Sequence, residues 1–408
     1  MRRILIITAI VVVLAGAGVA GYFYFADSAG IEVAPSANNN ANLPIVDENV
    51  QAPAEETAEA ASVTTTVGSS ADTPSPILPR LVQISAGTVV PGMVVVDKAA
   101  ANASSSPETL VSYIERRSGN VYSYSVTTGT RTRTNNKTVP GIQSAVWLTD
   151  ASVAFVRYLS GADFSTINTY ALSASSSSGF FLSQNLSDVA VSPTNILTLS
   201  SGVNGSIASL SRIDGTRQSE LFTTPLSSIR ISFAGKNQYL AYTKPSAKLS
   251  GSAFLVDGSG RFSRVAGPLN GLVAKASPSG KWLIVSYASG SAMHMNLVNT
   301  TTGESLPLPV ATVADKCVWT ADDSAVYCGI PVSPPPNLNY PDDWYQGAVS
   351  FSDRIWKIDV AGRYAQFVLD FSKENDEPLD AAALAIDPLN TVLVFVNKND
   401  GSLWSYSL

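Results

Sequence analysis

The chain has 408 residues, of which 45% are hydrophobic and 14% are charged. A fully disordered chain is excluded, because it would need fewer apolar residues and more charged ones to stay in solution unfolded. With 26 basic and 32 acidic residues and a formal net charge of −6, it has no dense basic face, so we expect no nucleic-acid partner. A single histidine, His294, and two cysteines, Cys317 and Cys328, exclude sites built from several imidazoles or four thiolates. We therefore expect no metal, no cofactor and no catalytic residue.

The N-terminus predicts export. Residues 4–25 carry no charged side chain, and a helix of that length spans about 33 Å, enough to cross a hydrocarbon core of about 30 Å. Arg2 and Arg3 resist translocation, so residues 1–3 are expected inside and the rest of the chain outside. We predict a single-pass signal anchor in the cell membrane. The alternative is a signal peptide cleaved near Ala20, which exports the chain equally.

Residues 26–79 predict a tether. The segment is rich in Ala, Ser, Thr and Pro, and it holds eight acidic residues but no Lys or Arg. Such a composition cannot bury enough apolar area to offset the entropy lost on ordering. We therefore expect a disordered linker between the membrane and a folded domain, residues 80–408. The alternative is a partly ordered arm that lies on that domain.

From residue 80 onward the chain repeats one unit, which consists of a short apolar run, a small polar turn and a second apolar run. An earlier hairpin, formed by residues 91–97 and 108–115, brings the number of units to seven. The first turn residues of the later units are separated by 43, 42, 43, 43 and 67 positions: Thr149, Ser192, Ala234, Ser277, Thr320 and Asp387. A fixed period of this length made of hairpins is typical of a radial β-repeat.

The pattern within each unit predicts four strands. The inner runs are apolar at consecutive positions and the outer runs are more polar, as expected where stacked sheets cover the inner strands on both faces. The last unit ends at residues 403–408 one strand short, and residues 81–85 can supply that strand and leave no exposed sheet edge. The predicted fold is all-β, a seven-bladed β-propeller with blades of four antiparallel strands over residues 80–408.

One turn carries a family resemblance. The run from Ser277 to Trp282 reads SPSGKW and is similar to the S-P-D-G-K/R turn of WD40-like and TolB-like β-propellers. The turns at residues 192–194 and 387–388 match more loosely, and the Trp-Asp dipeptide of true WD40 repeats is absent from the sequence. The chain resembles this superfamily over residues 81–408. The resemblance implies a rigid platform for protein contacts, sometimes appended to an enzyme.

The hairpin that contains the two cysteines predicts a disulfide. A turn over residues 321–324 pairs residue 320 with residue 325, and counting back along both strands places Cys317 opposite Cys328. Opposed Cα atoms on antiparallel strands lie about 4.5–5.5 Å apart, within disulfide range, and export permits oxidation. The alternative is two reduced thiols in the core after a register slip of one residue.

The largest departure from the repeat is an insertion at residues 331–353. Three consecutive prolines stiffen it, and we predict that its aromatic and acidic side chains contact a partner: Tyr340, Asp342, Asp343, Trp344 and Tyr345. The alternative is that the rings plug the end of the central channel or pack on the sixth blade. Asp342 and Asp343 are not expected to form a catalytic pair, because adjacent residues of an extended chain point to opposite sides.

These features predict a membrane-anchored, extracytoplasmic β-propeller that acts as a non-catalytic scaffold and binds a protein or cell-envelope component through its loop face. The competing hypothesis is a propeller enzyme that acts on carbohydrate or peptide with carboxylates. A third is a structural envelope protein without a specific ligand. A structure separates scaffold from enzyme, because an enzyme of this kind needs two or more carboxyl groups within about 10 Å of each other in one pocket.

Overall fold

The computed structural model describes residues 79–99, 107–135, 137–375 and 377–408. They form seven four-stranded antiparallel sheets, so the predicted propeller and its blade architecture are confirmed. The predicted cytoplasmic head, the membrane anchor and all but the last residue of the linker lie outside the described residues. Within the described ranges, no helix is long and apolar enough to cross a membrane.

The strands follow one another blade by blade after β1 (Leu81–Gln83), which belongs to the last sheet. Blade 1 consists of β2 (Val94–Lys98), β3 (Glu108–Ile114), β4 (Val121–Ser125) and β5 (Arg131–Asn135). Blade 2 consists of β6 (Ile142–Trp147), β7 (Val153–Ser160), β8 (Thr166–Ser173) and β9 (Gly179–Phe181). Blade 3 consists of β10 (Leu186–Val191), β11 (Asn195–Gly202), β12 (Gly205–Arg212) and β13 (Ser219–Thr224).

Blade 4 consists of β14 (Ile229–Phe233), β15 (Gln238–Thr243), β16 (Ser250–Asp257) and β17 (Phe262–Asn270). Blade 5 consists of β18 (Val273–Ala276), β19 (Trp282–Ser289), β20 (Ala292–Asn299) and β21 (Ser305–Pro307). Blade 6 consists of β22 (Cys317–Trp319), β23 (Ala325–Pro331), β24 (Asp353–Asp359) and β25 (Tyr364–Asp370). Blade 7 adds β26 (Ala381–Ile386), β27 (Val392–Asn397) and β28 (Leu403–Ser407) to β1. Short helical turns lie between strands: a 3₁₀ turn at Ala314–Lys316, α1 (Asp342–Tyr345) and α2 (Phe371–Glu374).

Blade 7 closes the ring in the predicted way. Its strand order is β1-β28-β27-β26, so the first strand of the domain pairs with the last. Leu81 lies opposite Tyr406, and the side chain of Arg80 donates two hydrogen bonds, of 2.9 and 3.1 Å, to the carbonyl of Ser407. The regular strand ends at Gln83 rather than at residue 85, although the backbone N–H of Ile84 still donates to β28.

Burial is greatest in the middle of a blade and least in its outermost strand. The strand β27 is buried at all six of its positions, whereas the outermost strand β17 has no fully buried residue. Inner strands are covered on both faces by neighbouring sheets, and outer strands meet water, which explains the apolar and polar runs of the sequence.

The cysteines lie within disulfide distance. Cys317 on β22 is the register partner of Cys328 on β23, as counting from the turn predicted. The two sulfur atoms are 2.13 Å apart and the two Cα atoms 4.1 Å. The predicted pairing is confirmed, and the alternative of a slipped register is excluded.

The topology also decides where the insertion lies. Strands of a blade alternate in direction, so the turns between second and third strands share one face with the connections between blades. We call this the upper face. The insertion joins β23 to β24, the second and third strands of blade 6, and therefore belongs to the upper face.

Candidate functional site

A cavity of 630 Å³ lies in the central channel, between the inner strands of blades 2 to 6. Its volume is typical of small-molecule sites, which range over about 300–1,000 Å³. We call it the channel cavity. Four cationic side chains and two carboxyl groups line it: Arg157, Arg230, Lys244, Lys275, Asp188 and Asp315.

The repeat brings these side chains together. Asp188 and Arg230 each stand four residues before the turn residue of their blades, on β10 and β14, and Lys275 occupies the inner strand of the next blade. Equivalent positions of successive blades surround one axis, so residues about one repeat apart meet around it. The signal in the sequence was a single charged residue within each of several otherwise uncharged inner strands.

Arg230, Asp315 and Tyr345 form a connected group. Arg230 Nη1 lies 2.9 Å from Asp315 Oδ2, and the hydroxyl of Tyr345 donates a 2.7 Å hydrogen bond to the same oxygen. The guanidinium of Arg230 also lies 5.5 Å from the centre of the Tyr345 ring. Burial, together with the charge of Asp315, raises the pKa of Tyr345 well above its ordinary value, so this phenol stays protonated and donates.

Asp188 is a carboxyl group held by the backbone. Its Oδ2 accepts a 3.0 Å hydrogen bond from the N–H of Ile231, and its Oδ1 accepts one of 2.9 Å from the N–H of Val189. Burial nevertheless raises the pKa of Asp188, and these hydrogen bonds and nearby Arg230 and Arg157 only partly oppose that rise. Asp188 therefore holds a proton more readily than an exposed aspartate.

Arg157 has unused hydrogen-bonding capacity. Its Nη2 donates to the carbonyl of Leu186, but its buried Nε has no hydrogen-bond partner among the described residues. Burial lowers the pKa of Arg157, with the charge of Asp188 opposing that effect. An unpaired, buried guanidinium N–H is costly, and the rest of the guanidinium lines the cavity.

Lys275 is a partly buried lysine with a lowered pKa. Its Nζ donates to the carbonyl of Cys317, and burial lowers its pKa, with the charge of Asp315 opposing the shift. A lysine whose pKa is lowered is neutral more often at neutral pH and is then able to accept a proton.

The insertion packs its rings on the propeller, and one of them reaches a residue of the channel cavity. Tyr340 and Trp344 are 6% and 5% exposed, and Tyr345 reaches Asp315 as described above. Asp342 accepts a hydrogen bond from a neighbouring turn, and Asp343 accepts one from the backbone N–H of Asn339. These side chains occupy the position that the alternative interpretation of the insertion described. Contact between this loop and a partner stays a prediction.

Fold and cavity together define a β-propeller whose ionisable groups converge on the axis of the ring. Solved structures that resemble it include an oligogalacturonate lyase in complex with manganese, with a TM-score of 0.53 and 9% identity over 74% of this chain and 86% of that chain. Another is the oligogalacturonate lyase of Vibrio parahaemolyticus, with a TM-score of 0.51 and 9% identity over the same fractions. No protein-family model and no curated protein matches the sequence. At this identity the likeness shows the fold.

The prediction of a non-catalytic scaffold is wrong. The structural neighbours named above are enzymes, and two carboxyl groups, Asp188 and Asp315, line one cavity. Asp342 and Asp343 belong to the short helix α1 rather than to an extended chain, and they accept hydrogen bonds from separate partners, Ala247 and Asn339. The hypothesis of a propeller enzyme is therefore the better supported of the two.

The manganese of one neighbour does not suit this channel. Asp315 is already bound to Arg230 and Tyr345, and the oxygens of Asp188 accept backbone hydrogen bonds. In the part of the chain that the structure describes, no group of three or more His, Cys, Asp or Glu side chains could hold a metal ion. A wall with more cations than carboxylates also repels a divalent cation, which requires several oxygen or nitrogen ligands.

Proposed function

We propose that the protein is an enzyme that cleaves an acidic carbohydrate in the channel cavity. The observation that carries the proposal is that Asp188, with a raised pKa, and Lys275, with a lowered pKa, line one cavity that has an excess of cations. Pairs of groups whose pKa values are shifted in this way are typical of acid–base catalysis. The structural neighbours act on oligogalacturonate, whose sugar units carry carboxylates, which agrees with a cationic cavity.

The groups suit β-elimination. In that reaction a base takes the proton from the carbon next to the substrate carboxylate, the bond from the adjacent carbon to the glycosidic oxygen breaks, and a carbon–carbon double bond forms. Neutral Lys275 takes the proton, and protonated Asp188 gives one to the departing oxygen. Arg157 and Arg230, which both line the cavity, bind the carboxylate and stabilise the negative charge that develops on it.

Hydrolysis is the second candidate, because Asp188 and Asp315 line the same cavity in different surroundings. Asp188 would act as the acid that protonates the leaving oxygen, and Asp315 as the carboxylate that activates water or attacks the sugar. The products separate the two reactions. Elimination gives an unsaturated sugar that absorbs ultraviolet light, whereas hydrolysis gives new reducing ends without that absorption.

The test compares two lysines of blade 5. We expect the protein to release ultraviolet-absorbing products from oligogalacturonate, and Lys275→Met to lower kcat at least about 100-fold, as loss of a general base does. Lys281→Met removes an exposed lysine outside the channel cavity and should leave kcat unchanged. Equal activity of the two variants would contradict the role of Lys275. New reducing ends without absorption would favour hydrolysis, and no cleavage of any acidic oligosaccharide would refute the proposal.

The location of this enzyme rests on the sequence. We propose that residues 4–25 anchor it and that the linker at 26–79 holds the propeller outside the membrane. Export is supported by the uncharged segment and the two arginines before it. It also agrees with the proposed substrate, because a charged saccharide does not cross a bilayer unaided.

A further inference from the structure

A second cavity, of 430 Å³, opens beside the channel cavity, against blades 7 and 1. Its wall comes from the upper face: Arg116 lies in the turn between β3 and β4, and Lys398 in the turn between β27 and β28. The insertion contributes Trp344 and Tyr345, and Asp315 completes one side. We call it the side cavity. Nothing in the proposed chemistry of Lys275 and Asp188 uses it.

The two cavities share a partition. Asp315 lines both of them, and the hydroxyl of Tyr345 donates to Asp315. The ring of Tyr345 lies over Arg230 of the channel cavity and also forms part of the wall of the side cavity. Asp315 and the Tyr345 hydroxyl bound to it therefore lie at the boundary between the two cavities.

The wall of the side cavity combines apolar surface with cations. Trp344 and Tyr345 contribute aromatic rings, and small or apolar residues such as Val89 and Pro91 cover much of the rest. Lys398 Nζ lies 5.3 Å from the centre of the Trp344 ring, and burial lowers the pKa of this lysine. The guanidinium of Arg116 is exposed and has one side-chain partner, Gln143 Oε1 at 3.2 Å. Such a wall fits a ligand with apolar faces and a negative charge.

We propose that the side cavity is a second binding site for the acidic carbohydrate, so that the protein holds sugar units on both sides of Tyr345. The proposal rests on the proposed function and extends it, because it makes chain length a determinant of affinity. Arg116 binds the carboxylate of the unit in the side cavity, and Trp344 supports the apolar face of that sugar. Tyr345 stands between the two units, where its ring contacts both.

The test measures binding without cleavage. Full-length protein carrying Lys275→Met is titrated by calorimetry with galacturonate and with α-1,4-linked oligomers of increasing length. We expect affinity to rise once an oligomer is long enough to pass Tyr345. Arg116→Ala should then lower affinity for the longer oligomers about tenfold, as expected for one charge-assisted contact, and leave affinity for the monomer unchanged.

Arg117→Ala is the matched control, because Arg117 is the exposed neighbour of Arg116 and does not line the side cavity. It should bind every oligomer as the parent does. If monomer and oligomers bind equally, or if the two arginine variants behave alike, the second site is refuted and the proposed function stands. If no acidic sugar binds at any length, both proposals are refuted. An equal melting temperature of the two variants verifies that Arg116→Ala folds.

Discussion

Three ionisable side chains are packed together in the core next to the insertion. Lys316, Asp353 and Asp380 are each fully buried, and Lys316 Nζ lies 2.7 Å from Asp353 Oδ2 and also contacts Asp380. Two buried carboxylates facing one ammonium leave an unbalanced negative charge, which a low-dielectric interior disfavours. Burial raises the pKa of Asp353 to about 6, with Asp380 adding to the rise and Lys316 opposing it. The Oδ1 atom of Asp353 has no partner among the described residues and is the natural place for the proton.

This group gives stability a defined pH dependence. An unfolded aspartate titrates near 3.9, whereas folded Asp353 titrates at about 6. Between these values the folded state holds a proton that the unfolded state has lost, so the contribution of Asp353 lowers the free energy of unfolding as pH rises through this window. The loss levels off above pH 6 and amounts to at most about 3 kcal/mol.

Asp353→Asn should remove this dependence. Denaturant unfolding at several pH values between 4 and 7 measures it, because the amide keeps the shape of the neutral carboxyl group and does not titrate. Glu377→Gln is the control, because Glu377 is exposed and should leave the slope unchanged. An unaltered pH slope in Asp353→Asn would contradict the assignment to Asp353.

Some single residues were predictable and others were not. The pairing of Cys317 with Cys328 follows from counting along one hairpin, because register within a hairpin is fixed locally by its turn. The contact between Arg230 and Asp315 joins residues 85 positions apart, and it forms only because the ring brings blades 4 and 6 to one axis. Alternation along a strand indicates two faces but not which of them meets the channel, so no local pattern identified this pair.

The sequence shows the unusual composition of the insertion but does not predict where this element lies in the fold. Its prolines and aromatic residues fit both a displayed loop and a plug of the channel. Two polar contacts hold it against neighbouring blades: Trp344 Nε1 donates to Asp380 at 3.1 Å, and Asp342 Oδ2 accepts from the N–H of Ala247 at 3.0 Å. Both partners belong to other blades, so only the assembled ring defines them.

Asp342 is expected to hold this element in place. The carboxylate accepts hydrogen bonds from the hydroxyl of Ser246 and the N–H of Ala247 in the turn of blade 4. Asp342→Ala removes both, so the insertion should open more often and chymotrypsin should cleave after its aromatic residues about tenfold faster. Asp343→Ala is the matched control, because the described hydrogen bonds of Asp343 lie within the insertion, to Asn339. Equal cleavage rates for the two variants would show that the contact with blade 4 does not restrain the loop.

At the scale of the whole molecule, the sequence was most informative. A period near 43 residues and a last unit one strand short were enough to predict the number of blades and the shared sheet of blade 7. These features are repeated or complementary along the chain, so the pattern of one unit supports the strand assignment in the others. The charged channel is a property of the assembled ring, because each of blades 2 to 6 contributes only one or two of its charged side chains. This is why the fold was predicted and the candidate site was missed.

Closure of the ring depends on hydrogen bonds from alternate residues of the first strand. The N–H of Ser407 donates to the carbonyl of Arg80 at 2.9 Å, and the N–H of Ile84 donates to Leu403 at 2.8 Å. Antiparallel pairing alternates, so Val82, which lies opposite Ser405, also directs its polar groups toward β28, whereas those of Gln83 face outward. Val82→Pro therefore removes a bond of the closing ladder, and Gln83→Pro does not.

We expect Val82→Pro to lower the free energy of unfolding by about 2 kcal/mol or more, because a buried carbonyl loses its donor and the strand is distorted. Gln83→Pro should cost less than about 1 kcal/mol, because proline is tolerated where the N–H of an edge strand faces solvent. Chemical denaturation of the two full-length variants measures the difference. Opening the closure also exposes the edge of β28, so Val82→Pro alone should associate at high concentration in light scattering. Equal destabilisation by the two prolines would mean that β1 packs on the last blade by side-chain contact, and that its hydrogen bonds do not carry the closure.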